Sequence, residues 1–284
     1  MLRVPIIANA APDSIMEFYH INEDAPAGLW NKDKIFCYNN IKLNVFMEGD
    51  FSVIVDGKSY SPVYGDICVL SPEKLHCGQI LKPTHNDYYQ LDIGIEALSV
   101  LPGGKELIER MLDNCASNGP FIRPLEKDVN KVIRLCEKIE RAIVSNELTL
   151  AFAYVVEIIY TITRIGDECT GVSAIPLTRI TREVIKYIEN NFDSVVKIDT
   201  LAEMLGVSAS YLSRVFKKDI GVGIHEYLIK YRVLKASYLL RYHSVTDVGY
   251  MCGFSESSHF ISVFKRHFDC TPMTYKKEIC EKNI

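Results

Sequence analysis

Two stretches of the chain, 47 to 48 residues apart, carry hydroxyl and basic side chains in a similar order. The first contains Ser210, Tyr211, Ser213 and Arg214, followed by Lys217 and Lys218. The second contains Ser257, Ser258, His259 and Ser262, followed by Lys265 and Arg266. Polar side chains of these types hydrogen-bond to the edges of DNA bases, and Lys and Arg neutralise phosphates. The two runs therefore indicate nucleic-acid recognition.

Each run is expected on the second helix of a helix-turn-helix unit. In the first unit, Gly206 can adopt the left-handed conformation that ends a helix, and Ser208 is a suitable N-cap for the next helix. In the second unit, the small Gly249 allows two helices to approach closely, and Ser255 is the expected N-cap. The N-terminal half of the second helix in such a unit enters a major groove of DNA.

The segment between the two units, Ile224 to Leu240, is helical by its pattern of apolar residues. At ~1.5 Å per residue it spans roughly 25 Å. This length is in the range needed to hold two reading helices in successive major grooves, which lie about 34 Å apart on one face of DNA. The alternative interpretation is a pair of αα-hairpins with solvated basic faces and no ligand.

The charge of the chain is unevenly divided. The 284 residues are 48% apolar and 24% charged, which fits a globular protein of about two domains and excludes a disordered chain or a collagen-like fibre. The net charge of −4 alone argues against nucleic acid. However, residues 1–174 hold 16 basic and 24 acidic side chains, a net −8, whereas residues 175–284 hold 16 and 12, a net +4. We therefore expect the C-terminal part to contact DNA and the acidic part to stay away from the phosphate backbone.

The C-terminal third resembles the DNA-binding domain of the AraC/XylS family of transcription regulators. The residues that carry the resemblance include Leu201-Ala202-Glu203, Gly206-Val207-Ser208, Tyr211 to Lys218, Tyr231-Arg232, Gly253-Phe254, His259-Phe260, Phe264-Lys265-Arg266 and Thr271-Pro272. The resemblance implies two helix-turn-helix units on double-stranded promoter DNA, with RNA polymerase as a further partner. It also implies that both serine-rich runs face bases and that Lys217, Lys218, Arg232, Lys265 and Arg266 face phosphates.

The second unit departs from the family pattern at two positions. Members often have Arg at the position of Ser262 and a small polar residue at the position of Ile261. Arg can form a bidentate contact with guanine, whereas Ser cannot. We therefore expect the second unit to discriminate less between bases and to contribute mainly phosphate contacts.

The first hundred residues are predicted to form strands. Ile41, Leu43 and Val45 alternate with polar residues, and further strands are expected around Phe51 and from Ile67 to Leu70. Turn sequences recur every 8–12 residues, which is typical of a sandwich or a barrel. Residues 30–95 resemble the cupin-type ligand-binding domain that such regulators often carry, through a spacing that ends at Pro72 and His76. The resulting fold class is α+β: a cupin-like barrel with a helical dimerisation segment, then an all-α domain.

Four residues of this front domain are candidate ligand contacts: Trp30, Tyr38, His76 and Tyr88. A tyrosine-lined pocket would suit a sugar or a related metabolite. The same residues could equally be packing residues, and a lone His at a strand end is more often structural than ligand-binding.

The middle of the chain is predicted to be helical, with helices at 105–115, 126–143 and 148–165. The last is the best candidate for a membrane span, but it contains Glu157 and Arg164, so we interpret it as a buried or dimer-forming helix. The expected domains are 1–100 (ligand sensing), 101–165 (homodimerisation), 166–178 (linker) and 179–284 (DNA binding). The N-terminus lacks the pattern of a signal peptide, so we expect a cytoplasmic protein without a membrane partner.

The sequence leaves two other functions open. The first is a thiol-responsive regulator, because the chain has nine cysteines, although buried structural thiols are the simpler interpretation. The second is a cupin enzyme, but the positions where metal cupins have early ligands fall near Tyr38, Asn40 and Lys42, and only His76 remains. We therefore expect no catalytic residues, no metal and no cofactor.

Overall fold

A computed structural model describes residues 2–7, 16–26, 28–29, 40–55, 58–71, 76–99, 101–169, 171–268 and 270–280. Its strands are β1 (Leu2–Ile7), β2 (Met16–Ala25), β3 (Gly28–Leu29), β4 (Asn40–Glu48), β5 (Phe51–Val55), β6 (Lys58–Tyr60), β7 (Ile67–Leu70), β8 (His76–Ile80), β9 (Thr84–Gly94), β10 (Phe121–Ile122) and β11 (Ile175–Pro176). Its helices are α1 (Ile95–Ser99), α2 (Gly104–Asn118), α3 (Glu126–Val144), α4 (Leu148–Glu168), α5 (Arg179–Asn191), α6 (Ile198–Leu205), α7 (Ala209–Ile220), α8 (Ile224–Leu239), α9 (Val245–Met251), α10 (Ser257–Phe268) and α11 (Pro272–Cys280).

The strands form two antiparallel sheets. One has the order β1-β2-β9-β4-β7-β10, and the other has the order β11-β6-β5-β8-β3. Aromatic side chains fill the space between the sheets: the ring centroids of Phe46 and Phe51 lie 5.3 Å apart, and those of Tyr60 and Phe121 lie 4.7 Å apart. Because each of these pairs joins one sheet to the other, burial of aromatic surface holds the sheets face to face.

The expected strands around Ile41, Phe51 and Ile67 are present as β4, β5 and β7. The closed cupin-like barrel is not found, because the described strands form two separate sheets and no ladder joins them. Alternation of apolar residues predicts which face of a strand is buried but does not predict which edges pair. The N-terminal strands thus form a sandwich.

The helices of the middle segment cover the outer face of the six-stranded sheet. In α3, Val132, Cys136 and Ile139 are buried, and α4 contributes Val155 and a further row of buried apolar side chains. By length and composition α4 could cross a membrane, but one side of it packs against α3 and the sheet. This packing agrees with the interpretation of α4 as a core helix of a folded domain.

The segment predicted as a linker is largely ordered against the front domain. Helix α4 continues to Glu168, Gly171 bridges to Ile122, and β11 pairs with β6. In addition, Ile54 of β5 is buried against the apolar core of the C-terminal helices. Short pairings of this kind leave no periodic signal in the sequence, so the Gly and Pro residues of a predicted linker do not reveal whether it pairs with a neighbouring strand.

The C-terminal helices form two apolar cores on one shared helix. Residues at the N-terminal end of α8, such as Tyr227, pack with α5, α6 and α7. Residues at its C-terminal end, such as Ala236, pack with α9, α10 and α11. Helix α8 is therefore buried around most of its circumference and belongs to both cores.

A buried ion pair connects the sheet to the segment after α2. The Arg123 guanidinium donates from Nε to Asp66 Oδ1 at 2.8 Å and from Nη2 to Asp66 Oδ2 at 2.7 Å. The backbone N–H of Val63 also donates to Asp66 Oδ2, at 3.0 Å. The Asp66 side chain is fully buried, whereas Arg123 is half exposed. The ion pair with Arg123 therefore offsets much of the free-energy cost of burying the Asp66 carboxylate.

Replacing Arg123 by Met should lower the free energy of unfolding by about 2 kcal/mol, because a buried carboxylate loses its partner. Urea denaturation followed by circular dichroism measures this. Lys82→Met is the matched control: Lys82 is 81% exposed and its ion pair with Asp50 should contribute less than about 0.5 kcal/mol. Equal effects of the two substitutions would contradict the assignment.

Candidate nucleic-acid interface

The first unit is α6, a glycine turn and α7. Gly206 has φ 67° and ψ 34°, as expected for a left-handed helix end. The Ser208 hydroxyl then accepts a hydrogen bond from the backbone N–H of Tyr211 at 3.3 Å, which caps α7. Leu212 and Phe216 are buried, so the opposite face of α7 points outward. The exposed residues of that face are Ser210, Tyr211, Arg214, Lys217 and Lys218, and Ser213 is partly exposed.

Two residues on the outer face of α7 touch each other. The Arg214 guanidinium lies 5.5 Å from the centroid of the Tyr211 ring, in cation–π geometry. Such a contact restricts the long Arg side chain without occupying its N–H donors. Tyr211 thus acts as a positioning residue for Arg214, a role that the spacing of three residues along a helix could have indicated.

The second unit repeats this arrangement with α9 and α10. Gly253, in the turn, has a positive φ of 75°. A Cβ on Gly249 would lie 3.2 Å from the Phe260 ring, so α9 and α10 approach closely at Gly249, as expected. Helix α10 begins at Ser257, and the Glu256 carbonyl accepts from the backbone N–H of Phe260 at 3.1 Å. The N-cap position is therefore Glu256 rather than Ser255. The exposed residues of α10 are Ser257, Ser258, His259, Ile261, Ser262, Lys265 and Arg266.

Arg232 lies between the two units. Its Nε donates to the Phe192 carbonyl at 2.6 Å and its Nη2 donates to the Ser194 carbonyl at 2.7 Å. Its guanidinium also lies 5.9 Å from the Phe254 ring. Burial lowers the pKa of Arg232 from its usual value, although not enough to remove the charge. Arg232 was predicted to face phosphate, but the structure places it on backbone carbonyls inside the domain.

The turn of the second unit packs closely against Asp193 and Arg232. A Cβ on Gly253 would lie 2.6 Å from the Asp193 carbonyl oxygen and 2.8 Å from Arg232 Nη2. Only a residue without a side chain fits this space. The loop after α5, the side chain of Arg232 and the turn before α10 thus form one junction that sets the placement of the two outward helices.

A carboxylate at the end of α7 anchors the start of α5. Asp219 Oδ2 accepts hydrogen bonds from the Thr178 and Thr181 hydroxyls, each at 2.7 Å, and from the Thr178 backbone N–H at 3.2 Å. Three donors on one oxygen hold α7 against the first helix of the domain. This contact helps to fix the orientation of the face that carries Arg214.

The candidate ligand residues fall into two groups. His76 and Tyr88 are both buried, and His76 pairs across the ladder with Val55, so both lie on the inner faces of the two sheets. Tyr88 stacks edge-on with Phe51 at 5.7 Å. Trp30 and Tyr38 lie outside the described residues. The structure therefore brings two of the four candidates to the interior of the sandwich.

Three buried thiols of the described structure are poorly suited to redox sensing. Burial raises the pKa of Cys252 to about 12, and it also raises the pKa of Cys68 and Cys136 well above the usual value. Because the thiolate is the reactive form, these three cysteines are expected to be inert at neutral pH. Within the described ranges, moreover, His, Cys, Asp and Glu side chains form no group of three or more that could hold a metal ion.

The C-terminal helices match known proteins. A family model described as a helix-turn-helix domain matches residues 201–278. The transcriptional activator RhaS of Escherichia coli O139:H28 is 40% identical over 91 residues, which are 31% of this chain and 33% of that protein. An uncharacterised helix-turn-helix regulator from Pseudoalteromonas carrageenovora is 37% identical over 98 residues, covering 34% of this chain and 59% of that protein. The C-terminal part of this chain is an AraC-type helix-turn-helix domain.

A solved structure is similar to the same AraC-type domain. The C-terminal domain of AraT, a response regulator from Geobacillus stearothermophilus, is 29% identical, covers 36% of this chain and 86% of that chain, and has a TM-score of 0.35. The chain spans about a third of the length of the RhaS protein that it matches. The matches to RhaS and to the regulator from Pseudoalteromonas carrageenovora cover about a third of this chain. The sequence resemblance to the AraC/XylS family also extends over about a third of the chain.

The two turn glycines of the AraC-type domain should differ in their tolerance of a side chain. Both have positive φ, so Ala at either position is strained by about 1 kcal/mol. A Cβ on Gly206 meets nothing within 4 Å, whereas a Cβ on Gly253 collides with the Asp193 carbonyl. Gly253→Ala should therefore lower the free energy of unfolding by at least about 1 kcal/mol more than Gly206→Ala.

Thermal and urea unfolding of the two variants measure this difference. DNA affinity of the folded Gly253→Ala protein is a second readout, because a displaced junction changes the placement of α10. If Gly206→Ala is as destabilising as Gly253→Ala, the junction does not constrain the domain as described.

Proposed function

We propose that the chain is a transcription regulator that binds double-stranded promoter DNA in two successive major grooves through α7 and α10. The observation that carries the proposal is the pair of outward helices, each with exposed polar residues in its N-terminal half and exposed basic residues in its C-terminal half. Helix α8, which connects the two units, is roughly 24 Å long at about 1.5 Å per residue over its 16 residues. The relatives named as transcriptional regulators agree with a binding protein rather than an enzyme.

We propose that α7 and α10 contribute differently to the recognition of DNA bases. On α7, Arg214 is held by Tyr211 and can form a bidentate contact with guanine, with Ser210 and Ser213 as neighbouring base contacts. On α10, the corresponding positions are Ser258, Ile261 and Ser262, which lack a bidentate donor. Lys217, Lys218, Lys265 and Arg266 are the proposed phosphate contacts. Arg232 is left out because its Nε and Nη2 donate to the backbone carbonyls of Phe192 and Ser194.

We further propose that the front domain senses a small molecule, a sugar or a related metabolite, between its two sheets. His76 and Tyr88 support this location because both face the interior. A ligand shifts an equilibrium only if it binds two states unequally. The buried contact of Ile54 and the pairing of β6 with β11 offer a route by which a change in sheet spacing reaches α5. A homodimer, a contact with RNA polymerase and a cytoplasmic location complete the proposal.

Arg214→Ala should weaken binding to the preferred site by roughly 10- to 100-fold and relax the preference at one base pair, because a bidentate contact is worth about 1–3 kcal/mol. Selection of sites from a random duplex pool, followed by gel shift, measures both effects. Ser262→Ala is the matched control on α10 and should change affinity by less than about threefold. The assignment fails if Ser262→Ala relaxes specificity as much as Arg214→Ala.

A ligand bound between the sheets should raise the melting temperature of the wild-type protein, because it binds only the folded state. A panel of mono- and disaccharides is the first screen. Tyr88→Phe keeps the ring contacts with Phe46 and Phe51 and removes only the hydroxyl, so it should fold normally and lose part of the shift. An identical shift in the variant would place the ligand elsewhere.

A further inference from the structure

One helix of the acidic front domain carries a continuous stripe of basic side chains. Five residues of α3 are spaced four, three, four and three positions apart, and all five are exposed. We call this set the α3 stripe: Lys127, Lys131, Arg134, Lys138 and Arg141. Residues at this spacing lie on one face of a helix, and the stripe is about 21 Å long at 1.5 Å per residue.

The α3 stripe is opposite the face that packs on the sheet. Val132, Cys136 and Ile139 are buried on that other face, so the stripe points directly away from the protein interior. Ion pairs between described residues involve no member of the stripe. Lys138 has a single additional contact, its Nζ lying 5.2 Å from the centroid of the Tyr154 ring. The stripe thus presents its basic groups outward, with the exposed Glu137 as an acidic neighbour on the same helix.

A stripe of this charge suits a polyanion better than a second copy of the same helix. In a two-fold symmetric dimer the same surface meets itself, which would bring like charges together. The phosphates of DNA, in contrast, lie on a continuous track with one charge per ~1.7 Å of duplex. The proposed function supplies such a polyanion on the same molecule, because α7 and α10 are proposed to hold DNA. Since α3 covers the six-stranded sheet and the C-terminal helices pack against Ile54 of the five-stranded sheet, flanking DNA reaches the stripe by bending around the front domain.

We propose that the α3 stripe binds the phosphate backbone of DNA that flanks the site read by α7 and α10. This inference rests on the proposed function. It also changes the expected role of the front domain, which was predicted to stay away from phosphate because its net charge is negative. The net charge averages over the whole domain, whereas phosphates respond to the charge that is nearest to them.

The test compares two triple variants that lose the same charge. One is Lys131→Gln, Arg134→Gln and Lys138→Gln in the stripe; the control is Lys58→Gln, Lys82→Gln and Lys105→Gln, all exposed positions of the front domain. Binding is measured with the full chain on a duplex selected by the wild type, both at its minimal length and with 15 added base pairs on each side. Each titration is repeated at several salt concentrations.

On the extended duplex, the stripe variant should show a salt slope lower by about two to three units, because each phosphate neutralised contributes about 0.9. The control variant should keep the wild-type slope, and it should also keep the gain in affinity on extending the duplex. Equal slopes of the two variants would overturn the proposal. Sedimentation of the same proteins without DNA is the second measurement: a dimer lost only in the stripe variant would show that the stripe binds another copy, which also overturns it.

These outcomes are distinct from a failure of the proposed function. If the wild-type chain selects no sequence from the pool, the regulator function itself is wrong. If it selects a site and Arg214→Ala weakens that site, the function stands whatever the stripe variant shows.

Discussion

The placement of the two outward helices depends on α8 and on the junction around Arg232. Helix α8 is buried around most of its circumference, since its first half belongs to one apolar core and its second half to the other. Rotation of one unit against the other would expose both cores and break the two hydrogen bonds that Arg232 donates to the loop after α5. The serines and lysines on the surface could not form a defined DNA-reading surface without this internal constraint, because each unit would point in its own direction.

Several features of the C-terminal domain could be predicted from its sequence because they are local. The turn glycine Gly206, the cap Ser208 and the apolar residues Leu212 and Phe216 are specified by neighbours within one or two turns of helix. The role of Arg232 could not be predicted in this way. An arginine that binds phosphate and one that binds carbonyl groups look the same in a sequence, and the carbonyls of Phe192 and Ser194 are about 40 positions away.

Less of the front domain could be predicted from the sequence, because more of its structure depends on contacts between distant residues. Alternating apolar residues predicted β4, β5 and β7, but the pairing of strand edges that distinguishes a sandwich from a barrel depends on contacts between distant residues. His76 and Tyr88 are candidate ligand contacts by residue type alone. The pairing of His76 with Val55 and the position of Tyr88 in the core between the sheets show that both face inward. Neither the pairing of β11 nor the burial of Ile54 leaves any pattern in the sequence, so the sequence predicts residues 166–178 as a linker without indicating these contacts.

The pairing of β6 with β11 is only two residues long, between Ile175 and Ser59 and between Pro176 and Lys58. A proline has no N–H to donate, so this ladder is weaker than its length suggests. Together with the burial of Ile54 among the C-terminal helices, it forms a small seam between the two halves of the described structure. Opening a seam of this size is expected to cost less free energy than unfolding either half. Binding of one small ligand of the proposed kind could therefore supply enough free energy to open the seam.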